Sequence, residues 1–263
     1  MTTNVENIRL LGKATRPFAL WRGRSLTTAV AVAEALASPQ RCTWLALHSS
    51  SLSLLTQSAR PRGTRHRLLV LDRPSGPRLE LLTALFHIVV ARGDGIHLIP
   101  AEDIAEVLAD EHPENFFIGG VADREDKALV LYRGSLEKLA VPFAWFRSSP
   151  GSAKPNFEDF EVTDGGQTVR LGQYEAAADA ILYEFDSEAR ARMKSNLIEE
   201  DETFGGALRR LRLAKGFSRE GFKGIAAKTI ARIERGDVRK PQGRTLEQIA
   251  KSLGVKPEEI ETF

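Results

Sequence analysis

The sequence predicts an α/β (α+β) amino-terminal region with a mixed sheet, followed by a small all-α domain. In residues 1–115, compact apolar runs of strand length alternate with helical patterns, which indicates helices layered on a sheet. Residues 116–186 hold short apolar segments bounded by turn residues and end in a helical pattern, typical of a small β-rich module. Residues 203–263 consist of short amphipathic helical segments separated by glycines, and the polar segment 187–202 joins them as a linker or helix.

The composition is that of an ordinary soluble globular protein, with a net charge of only +2 over 263 residues. No apolar run approaches the roughly 20 residues that a membrane span requires. The amino terminus lacks the basic start and apolar core of an export signal, and Cys42 is the only cysteine. One cysteine can form neither an internal disulfide nor a cysteine-rich zinc site. We therefore expect a cytoplasmic protein that makes no membrane contact.

Four strands and three helices are predicted in residues 1–115. The strands cover residues 16–23, 42–48, 66–71 and 96–99. The helices cover residues 26–37, with Ser25 as the N-cap, then 79–92 and 100–109. Residues 49–58 are expected to be helical or irregular. Because the segment 79–92 is apolar on nearly every side, it is predicted to be a buried helix.

The β-rich module begins with three predicted strands, at residues 116–121, 128–134 and 141–147. Asp164-Gly165-Gly166 marks the turn of a hairpin over residues 157–171, and residues 174–185 follow as a helix. This order of strands, hairpin and helix, over about 125–185, resembles a small uncharacterised β-rich module that occurs in some toxin–antitoxin loci. The resemblance implies a unit for binding or assembly and not a catalyst.

The all-α domain opens with an amphipathic helix. Four apolar residues share its inner face: Phe204, Ala207, Leu208 and Leu211. Three arginines are expected to point outward: Arg209, Arg210 and Arg212. Gly216 supplies the left-handed conformation that ends a helix. Ser218 is expected to cap a second helix, which carries Phe222 and ends near Gly224.

Two further helices complete the domain. The third is predicted over residues 226–235, and Gly236 ends it. The fourth begins at Thr245, whose hydroxyl has the spacing of a capping box with Gln248.

The order of these residues resembles the lambda-repressor/Cro-like (XRE) helix-turn-helix family. The matching motifs are F-S-R-E-x-F at residues 217–222, I-x-x-K-T-I-x-R-I-E-x-G at 225–236, K-P at 240–241 and T-L-x-x-I-A-x-x-L-G-V at 245–255. The resemblance implies a helix-turn-helix fold for residues 203–263, a recognition helix at 226–235 and a duplex DNA partner. Two departures concern the docking geometry. The segment between Phe222 and Ile225 is shorter than usual by about one helical turn, and the recognition helix starts without the usual capping side chain.

Positive charge is concentrated at the carboxyl end of the chain. Residues 203–263 hold 14 lysines and arginines against 7 acidic residues, and the whole chain has a net charge of +2. The surplus of seven in this segment leaves a net charge of −5 for residues 1–202. A basic domain on an acidic body is the charge distribution expected where one small domain meets DNA phosphates. A second basic cluster, residues 60–67, is expected to be a solvated loop, with an accessory phosphate contact or docking to an acidic partner as the alternative.

In the helix-turn-helix motif, the N-terminal part of the third helix enters the major groove. By position, Lys228 and Arg232 are the candidates for contacts with base edges or nearby phosphates. Ala227 and Ala231 leave room for thymine methyl groups, and Thr229 can contact either a base or a phosphate. The residues expected to hold the phosphate backbone are Arg219, Lys223, Arg235, Arg239 and Arg244.

The sequence predicts neither a catalytic site nor a metal site. Its five histidines do not fall at the spacing of metal ligands, and we expect them to pack in the core or at the surface. Gly93-Asp94-Gly95 and Gly119-Gly120 are expected to be turns, because phosphate-binding loops lie between a strand and a helix. Ser49-Ser50-Ser51 follows an apolar strand but lacks the flanking glycines of a nucleophile elbow. We therefore expect no cofactor and no enzymatic activity.

These observations predict a sequence-specific DNA-binding transcriptional regulator, a repressor, acting in a bacterial cytoplasm. Because one helix-turn-helix covers only a few base pairs, useful affinity favours a homodimer on an inverted repeat. Two alternatives stay open. The first is an antitoxin whose amino-terminal region neutralises a toxin while the terminal domain represses their operon. The second is an enzyme or defence effector with an accessory DNA-binding domain. In the regulator hypothesis, the amino-terminal region senses a small-molecule effector or binds a protein partner.

Overall fold

The computed structural model describes residues 7–58, 63–93, 95–149, 151–199, 201–234 and 236–261. The chain forms two compact units, one ending at Asp186 and the other beginning at Ser187. The first unit contains sheets and helices and the second contains helices, which confirms the predicted fold class. No helix within these described ranges is long and apolar enough to cross a membrane.

Five parallel strands form the first sheet: β1 (Ile8–Leu11), β2 (Ser25–Leu26), β3 (Thr43–Ala46), β4 (Arg67–Val70) and β5 (Ile88–Ala91). Their order in the sheet is β2-β1-β3-β4-β5. The four longer strands are mostly apolar, the pattern of strands buried on both faces. Leu10, Leu45 and Leu69 lie side by side across β1, β3 and β4 and are fully buried. The strands predicted at residues 42–48 and 66–71 are confirmed.

Four helices cover the two faces of this sheet: α1 (Ala29–Leu36), α2 (Ser53–Ser58), α3 (Gly76–Leu85) and α4 (Ala101–Ala109). One side chain from each of α1, α2 and α3 packs in the core cluster around Trp44: Val32, Leu55 and Leu82. Because side chains alternate between faces along a strand, Leu47 belongs to the opposite face from Trp44. Ile104 of α4 lines a cavity together with Leu47, so α4 covers that opposite face.

Two antiparallel sheets follow in the same unit. The first consists, in spatial order, of β6 (His97–Leu98), β7 (Phe117–Asp123), β8 (Ala128–Arg133) and β9 (Lys138–Pro142). The second consists of β10 (Phe160–Thr163), β11 (Thr168–Leu171) and β12 (Tyr174–Ala177), and α5 (Ala178–Phe185) follows it. The hairpin predicted around Asp164-Gly165-Gly166 is confirmed as β10 and β11. A largely buried ion pair between Arg133 and Asp186 joins β8 to the end of α5.

Two segments take a different secondary structure from the one predicted. Residues 16–23, predicted as a strand, form a 3₁₀ segment over Phe18–Arg24. Residues 79–92, predicted as one buried helix, are divided between the end of α3 and the strand β5. The β-branched run 88–90 favours a strand, and pairing with β4 stabilises it in that form.

The first helix starts later than predicted. Ser25, expected to cap a helix over residues 26–37, pairs with β1 as part of β2. The N-cap of α1 is Thr28, whose hydroxyl accepts a hydrogen bond from the Ala31 N–H at 3.3 Å. A cap of the predicted chemistry therefore lies three residues further along the chain.

Three predictions in the antiparallel part are also wrong in detail. The strand expected at residues 141–147 lies earlier in the chain, as β9, which ends at Pro142. Residues 143–145 form a 3₁₀ turn instead. The helix expected at residues 174–185 begins only with α5, because its first four residues pair with β11 as β12. Gly119-Gly120, expected to be a turn, lies inside β7. A Cβ on the first of these glycines would lie 2.1 Å from a carbonyl oxygen of β6. The strands β6 and β7 therefore lie so close together at this position that only glycine fits.

The basic cluster at residues 60–67 falls partly outside the described residues. Its last member, Arg67, is not solvated as predicted but largely buried in β4. The Arg67 guanidinium donates to the Ser135 carbonyl oxygen at 2.5 Å and pairs with the Glu137 carboxylate. Arg67 therefore ties the parallel sheet to the turn between β8 and β9.

The described part of the second unit contains five helices: α6 (Ser187–Glu199), α7 (Phe204–Ala214), α8 (Ala227–Glu234), α9 (Arg244–Leu253) and α10 (Pro257–Glu261). Its core is a cluster of apolar side chains from α7 to α10 and from the loop before α8: Phe204, Leu208, Leu211, Phe222, Ile230, Ile233, Ile249, Leu253 and Ile260. The predicted inner face of α7 is therefore confirmed.

Candidate nucleic-acid interface

The helix α7 begins at a side-chain cap and crosses α8 closely. The Thr203 hydroxyl accepts a hydrogen bond from the Gly206 N–H at 3.1 Å, which satisfies one of the free N–H groups at the helix start. Gly205 lies against α8, since a Cβ there would be 2.3 Å from the Ile233 carbonyl oxygen. Only glycine fits at this crossing, and the close approach fixes where α8 rests on α7.

The end of α7 has the predicted left-handed glycine. Gly216 has a φ of 61°, and its N–H donates to the Leu213 carbonyl oxygen at 2.9 Å. The Phe217 N–H donates to the Arg212 carbonyl oxygen, also at 2.9 Å. This turn brings the Phe217 ring edge-on to the Phe222 ring, with 5.0 Å between the centroids.

The predicted second helix, from Ser218 to Gly224, is reduced to one 3₁₀ turn over Arg219–Gly221. Ser218 occupies the N-cap position, but its side chain makes no capping hydrogen bond to this described turn. The two glycines of the segment lower its helix propensity, and Gly224 adopts a φ of 78°. The entry to α8 is therefore held by the buried ring of Phe222 instead of by a full helix.

The helix α8 has a buried face and an exposed face. It starts one residue after the predicted start of the helix 226–235, and Arg235 lies outside the described residues. Ile230 and Ile233 are buried in the core. The outer face exposes three side chains, with two alanines partly buried among them: Lys228, Thr229 and Arg232, then Ala227 and Ala231. Gly236 follows as the predicted end of the helix, in the left-handed conformation with a φ of 78°.

A buried ion network joins α8 to α7. Glu234, the last residue of α8, has a side chain that is 1% exposed. Arg212 of α7 donates to both of its carboxylate oxygens, at 2.5 Å from Nε and 3.2 Å from Nη2. Arg219 donates to Oε2 of the same carboxylate, at 2.8 Å from Nε and 2.7 Å from Nη2. These charge-assisted hydrogen bonds give α8 a fixed orientation relative to α7.

Arg212 is the clearest error among the predicted surface residues of this unit. Expected to point outward, it is only 7% exposed. Besides its bonds to Glu234, it donates from Nη1 to the Phe217 carbonyl oxygen at 2.9 Å. The signal that could have identified the network is Glu234, four residues after the core residue Ile230 and therefore on the same helix face. A carboxylate on a buried face requires a buried cation.

The residues expected to hold phosphates lie around α8. Lys223 is exposed in the loop before it, Arg239 in the loop after it, and Arg244 at the first position of α9. Arg219 is bound to Glu234 while 39% of its side chain stays exposed. The structure places these cations on the segments that flank α8, and their contact with DNA stays a prediction.

The helix α9 starts without the predicted capping box. Its N-cap is Gly243, with a φ of 56°, so Thr245 lies inside the first turn and not at the cap. A hydroxyl in the first turn cannot form the reciprocal pair with Gln248 that a capping box requires. The first N–H groups of α9 have no side-chain cap among the described residues. Helix N-termini with free N–H groups are common binding sites for DNA phosphates. Arg244, the first residue of α9, adds a positive charge at this N-terminus.

The chemistry that the outer face of α8 offers is hydrogen-bond donation. Over the described ranges, no group of three or more histidine, cysteine or acidic residues is placed to hold a metal ion. Lys228 and Arg232 present cationic donors, which suit phosphate oxygens and the O6 and N7 acceptors of guanine. Thr229 adds a hydroxyl that can donate or accept.

Comparison with known proteins assigns this part of the chain to a family. A family model described as a helix-turn-helix domain matches residues 203–263, the carboxyl-terminal quarter. The family is XRE-like, which confirms the resemblance drawn from the motifs. No curated protein and no solved structure matches the chain. The domain makes the chain a DNA-binding regulator in this general sense, and the resemblance of residues 125–185 to a β-rich module stays a prediction.

Proposed function

We propose that this protein is a sequence-specific transcriptional repressor that reads the DNA major groove with α8. The observation that carries the proposal is the division of α8 into two faces. Ile230 and Glu234 are buried against the core of the unit. Lys228, Thr229 and Arg232 are exposed on the opposite side. A helix held rigidly with its donors outward is the arrangement by which helix-turn-helix proteins contact base edges.

The proposed contacts divide into two classes. Lys228 and Arg232 donate to base edges, and each such contact discriminates against a wrong base by about 1–3 kcal/mol. Ala227 leaves room for a thymine methyl group, and Thr229 contacts a base or a phosphate. The residues proposed to hold the phosphate backbone are Arg219, Lys223, Arg239 and Arg244, together with Arg235 on sequence grounds.

The short length of α8 supports a homodimer. Its eight residues span about 12 Å at a rise of 1.5 Å per residue. Along B-DNA, with about 3.4 Å per base pair, such a helix covers at most three or four pairs. Two copies on an inverted repeat, with centres one helical turn apart, would double the number of bases read.

Repression is the proposed direction of regulation, because occupancy of a promoter site is sufficient to exclude the polymerase. Activation would require a further surface that contacts the polymerase. Measurement of transcript levels from the bound promoter, with and without the protein, tests the direction, since higher transcription with the protein present would contradict repression.

The experiment that tests DNA reading is genome-wide mapping of bound DNA followed by a salt titration on the best site. We expect a shared inverted-repeat sequence and a steep fall of affinity with salt, with a slope in log–log form of about −0.9 per phosphate neutralised. The specific site should bind at least 10³-fold more tightly than random DNA of the same length. Equal affinity for both would contradict sequence-specific recognition.

A further inference from the structure

The carboxyl edge of the parallel sheet contains a crevice that the DNA-binding proposal does not use. The strand order is β2-β1-β3-β4-β5. After β1 the chain continues to the neighbouring strand on one side, β2, whereas after β3 it continues to the neighbouring strand on the other side, β4. Doubly wound sheets with this strand order bind ligands at the carboxyl edge, where the connections diverge. A cavity of about 330 Å³ lies at this edge, within the size range of small-molecule sites.

The lining of this cavity, which we call the edge cavity, is apolar and polar in about equal parts. Leu47 and Leu71 contribute from the segments that follow β3 and β4. Phe18, from the 3₁₀ segment after β1, and Ile104, from α4, also line the cavity. Both Phe18 and Ile104 are buried, so the apolar wall belongs to the folded core and not to a mobile surface.

The rim of the edge cavity carries an excess of positive charge. Arg16 follows β1 and Arg92 follows β5, and both side chains are exposed, as is the imidazole of His48 after β3. Neither arginine has a carboxylate partner among the described residues. One carboxylate, that of Glu102, also lines this cavity.

One further feature favours an anion at this rim. The nine-residue helix α4 starts at the cavity with Pro100 and Ala101, and its first N–H groups have no side-chain cap in the described chain. The nearby carboxylate of Asp72 is already bound outside the cavity, because it accepts hydrogen bonds from the Ser49 N–H at 3.1 Å and the Arg73 N–H at 2.9 Å. Asp72 is not among the residues that line the cavity.

We infer that the edge cavity binds a small organic anion with one acidic group, a carboxylate or a phosphate, and an apolar body. Arg16 and Arg92 bind the acidic group, since guanidinium ions bind both oxyanions through paired hydrogen bonds. The apolar body packs on Phe18, Leu47 and Ile104. The binding itself is independent of DNA; the further role of this anion as an effector of the regulator rests on the proposed function.

Calorimetric titration of the full-length chain tests the inference with four named probes: phenyl phosphate, benzoate, inorganic phosphate and benzyl alcohol. We expect saturable binding of phenyl phosphate or benzoate, with affinity at least tenfold above that for inorganic phosphate, which lacks the apolar body. Benzyl alcohol lacks the charge and is expected to bind at least tenfold more weakly than the better anion. The stronger of the two aromatic anions identifies which acidic group the rim prefers.

Arg92→Gln and Arg16→Gln should each weaken binding of the better anion by about tenfold or more, since each removes a cation from the rim. Arg65→Gln is the matched control, because Arg65 is an exposed arginine before β4, at the opposite edge of the sheet. Circular dichroism of each variant verifies the fold. Binding unaffected by both rim substitutions, or the absence of saturable binding by either aromatic anion, would overturn the assignment.

A DNA titration of the same preparations separates this inference from the proposed function. Intact DNA binding without anion binding would remove the edge cavity as a site and leave the DNA-binding proposal standing. Anion binding without DNA binding would do the reverse. If the anion changes the affinity of the protein for DNA, DNA must change the affinity for the anion by the same factor. Observing both changes establishes the anion as an effector.

Discussion

Removal of the Glu234 carboxylate is the perturbation for which the structure gives the clearest magnitude. In Glu234→Ala, Arg212 loses both bonds to the carboxylate and keeps, among the described residues, the one to the Phe217 carbonyl oxygen. Arg212 is 7% exposed and cannot turn to water, whereas Arg219, with 39% of its side chain exposed, can do so. Breaking one partner from a buried pair costs about 3–5 kcal/mol. With one of the two arginines free to relax, we expect about 3 kcal/mol.

Hydrogen–deuterium exchange of the full-length protein measures this loss locally. Peptides from α7 and α8 should exchange roughly 150-fold faster in Glu234→Ala, since each 1.4 kcal/mol corresponds to a factor of ten. Peptides from β3 and β4 serve as the internal control, and their protection should not change.

A second variant distinguishes a lost charge pair from general damage to the unit. In Arg212→Met with Glu234→Leu, apolar side chains replace the pair, and substitutions of this kind are often neutral or stabilising. This double variant should therefore regain most of the protection that Glu234→Ala loses. Unchanged exchange in Glu234→Ala, or a double variant no better protected than the single one, would refute the reasoning.

Two further predictions concern backbone packing and pH. Gly205→Ala places a Cβ 2.3 Å from the Ile233 carbonyl oxygen. This substitution should destabilise the packing of α7 on α8 by about 1–3 kcal/mol, measured by the same hydrogen–deuterium exchange. Gly76→Ala is the control and should be nearly neutral, because a Cβ at Gly76 would have nothing within 4 Å. Burial lowers the pKa of His66 below 6.5, so the stability of the first unit should be complete above pH 6.5 and fall as the pH drops from there through the lowered pKa. Urea unfolding followed by tryptophan fluorescence measures this dependence, and one contributor, Trp44, has its ring centroid 5.7 Å from that of His66. His66→Gln should flatten it, and an equally steep loss in that variant would assign the effect to another group.

Patterns that depend on neighbouring residues alone predicted much of the second unit correctly. Gly216 and Gly236 end their helices in the left-handed conformation, as expected where only glycine avoids a steric cost. The apolar spacing of α7 identified its core face. The second helix was beyond such patterns, because its position depends on how Phe217 and Phe222 pack and not on the spacing of its own residues.

Contacts between distant parts of the chain account for the remaining errors. Arg212 and Arg67 carry charges that a linear pattern places in water, and each is buried because a carboxylate more than twenty positions away reaches it. The segment 88–90 is equally compatible with the end of a helix until the edge of β4 is present to pair with it. The edge cavity has the same origin, since its lining comes from the segments after four strands and from the start of α4, which only the fold brings together.

The central claim is that α8 presents Lys228 and Arg232 to the major groove of duplex DNA. Its most direct test measures by fluorescence anisotropy how tightly the variants Lys228→Ala and Arg232→Ala bind the mapped site. Both measurements use the same fixed salt concentration as the unmodified protein. Each substitution should weaken specific binding by about 1–3 kcal/mol while leaving the exchange protection of α7 unchanged. Lys251→Ala, which removes an exposed lysine of α9 outside the proposed contact set, should change the affinity far less. Undiminished binding in both α8 variants would contradict the account.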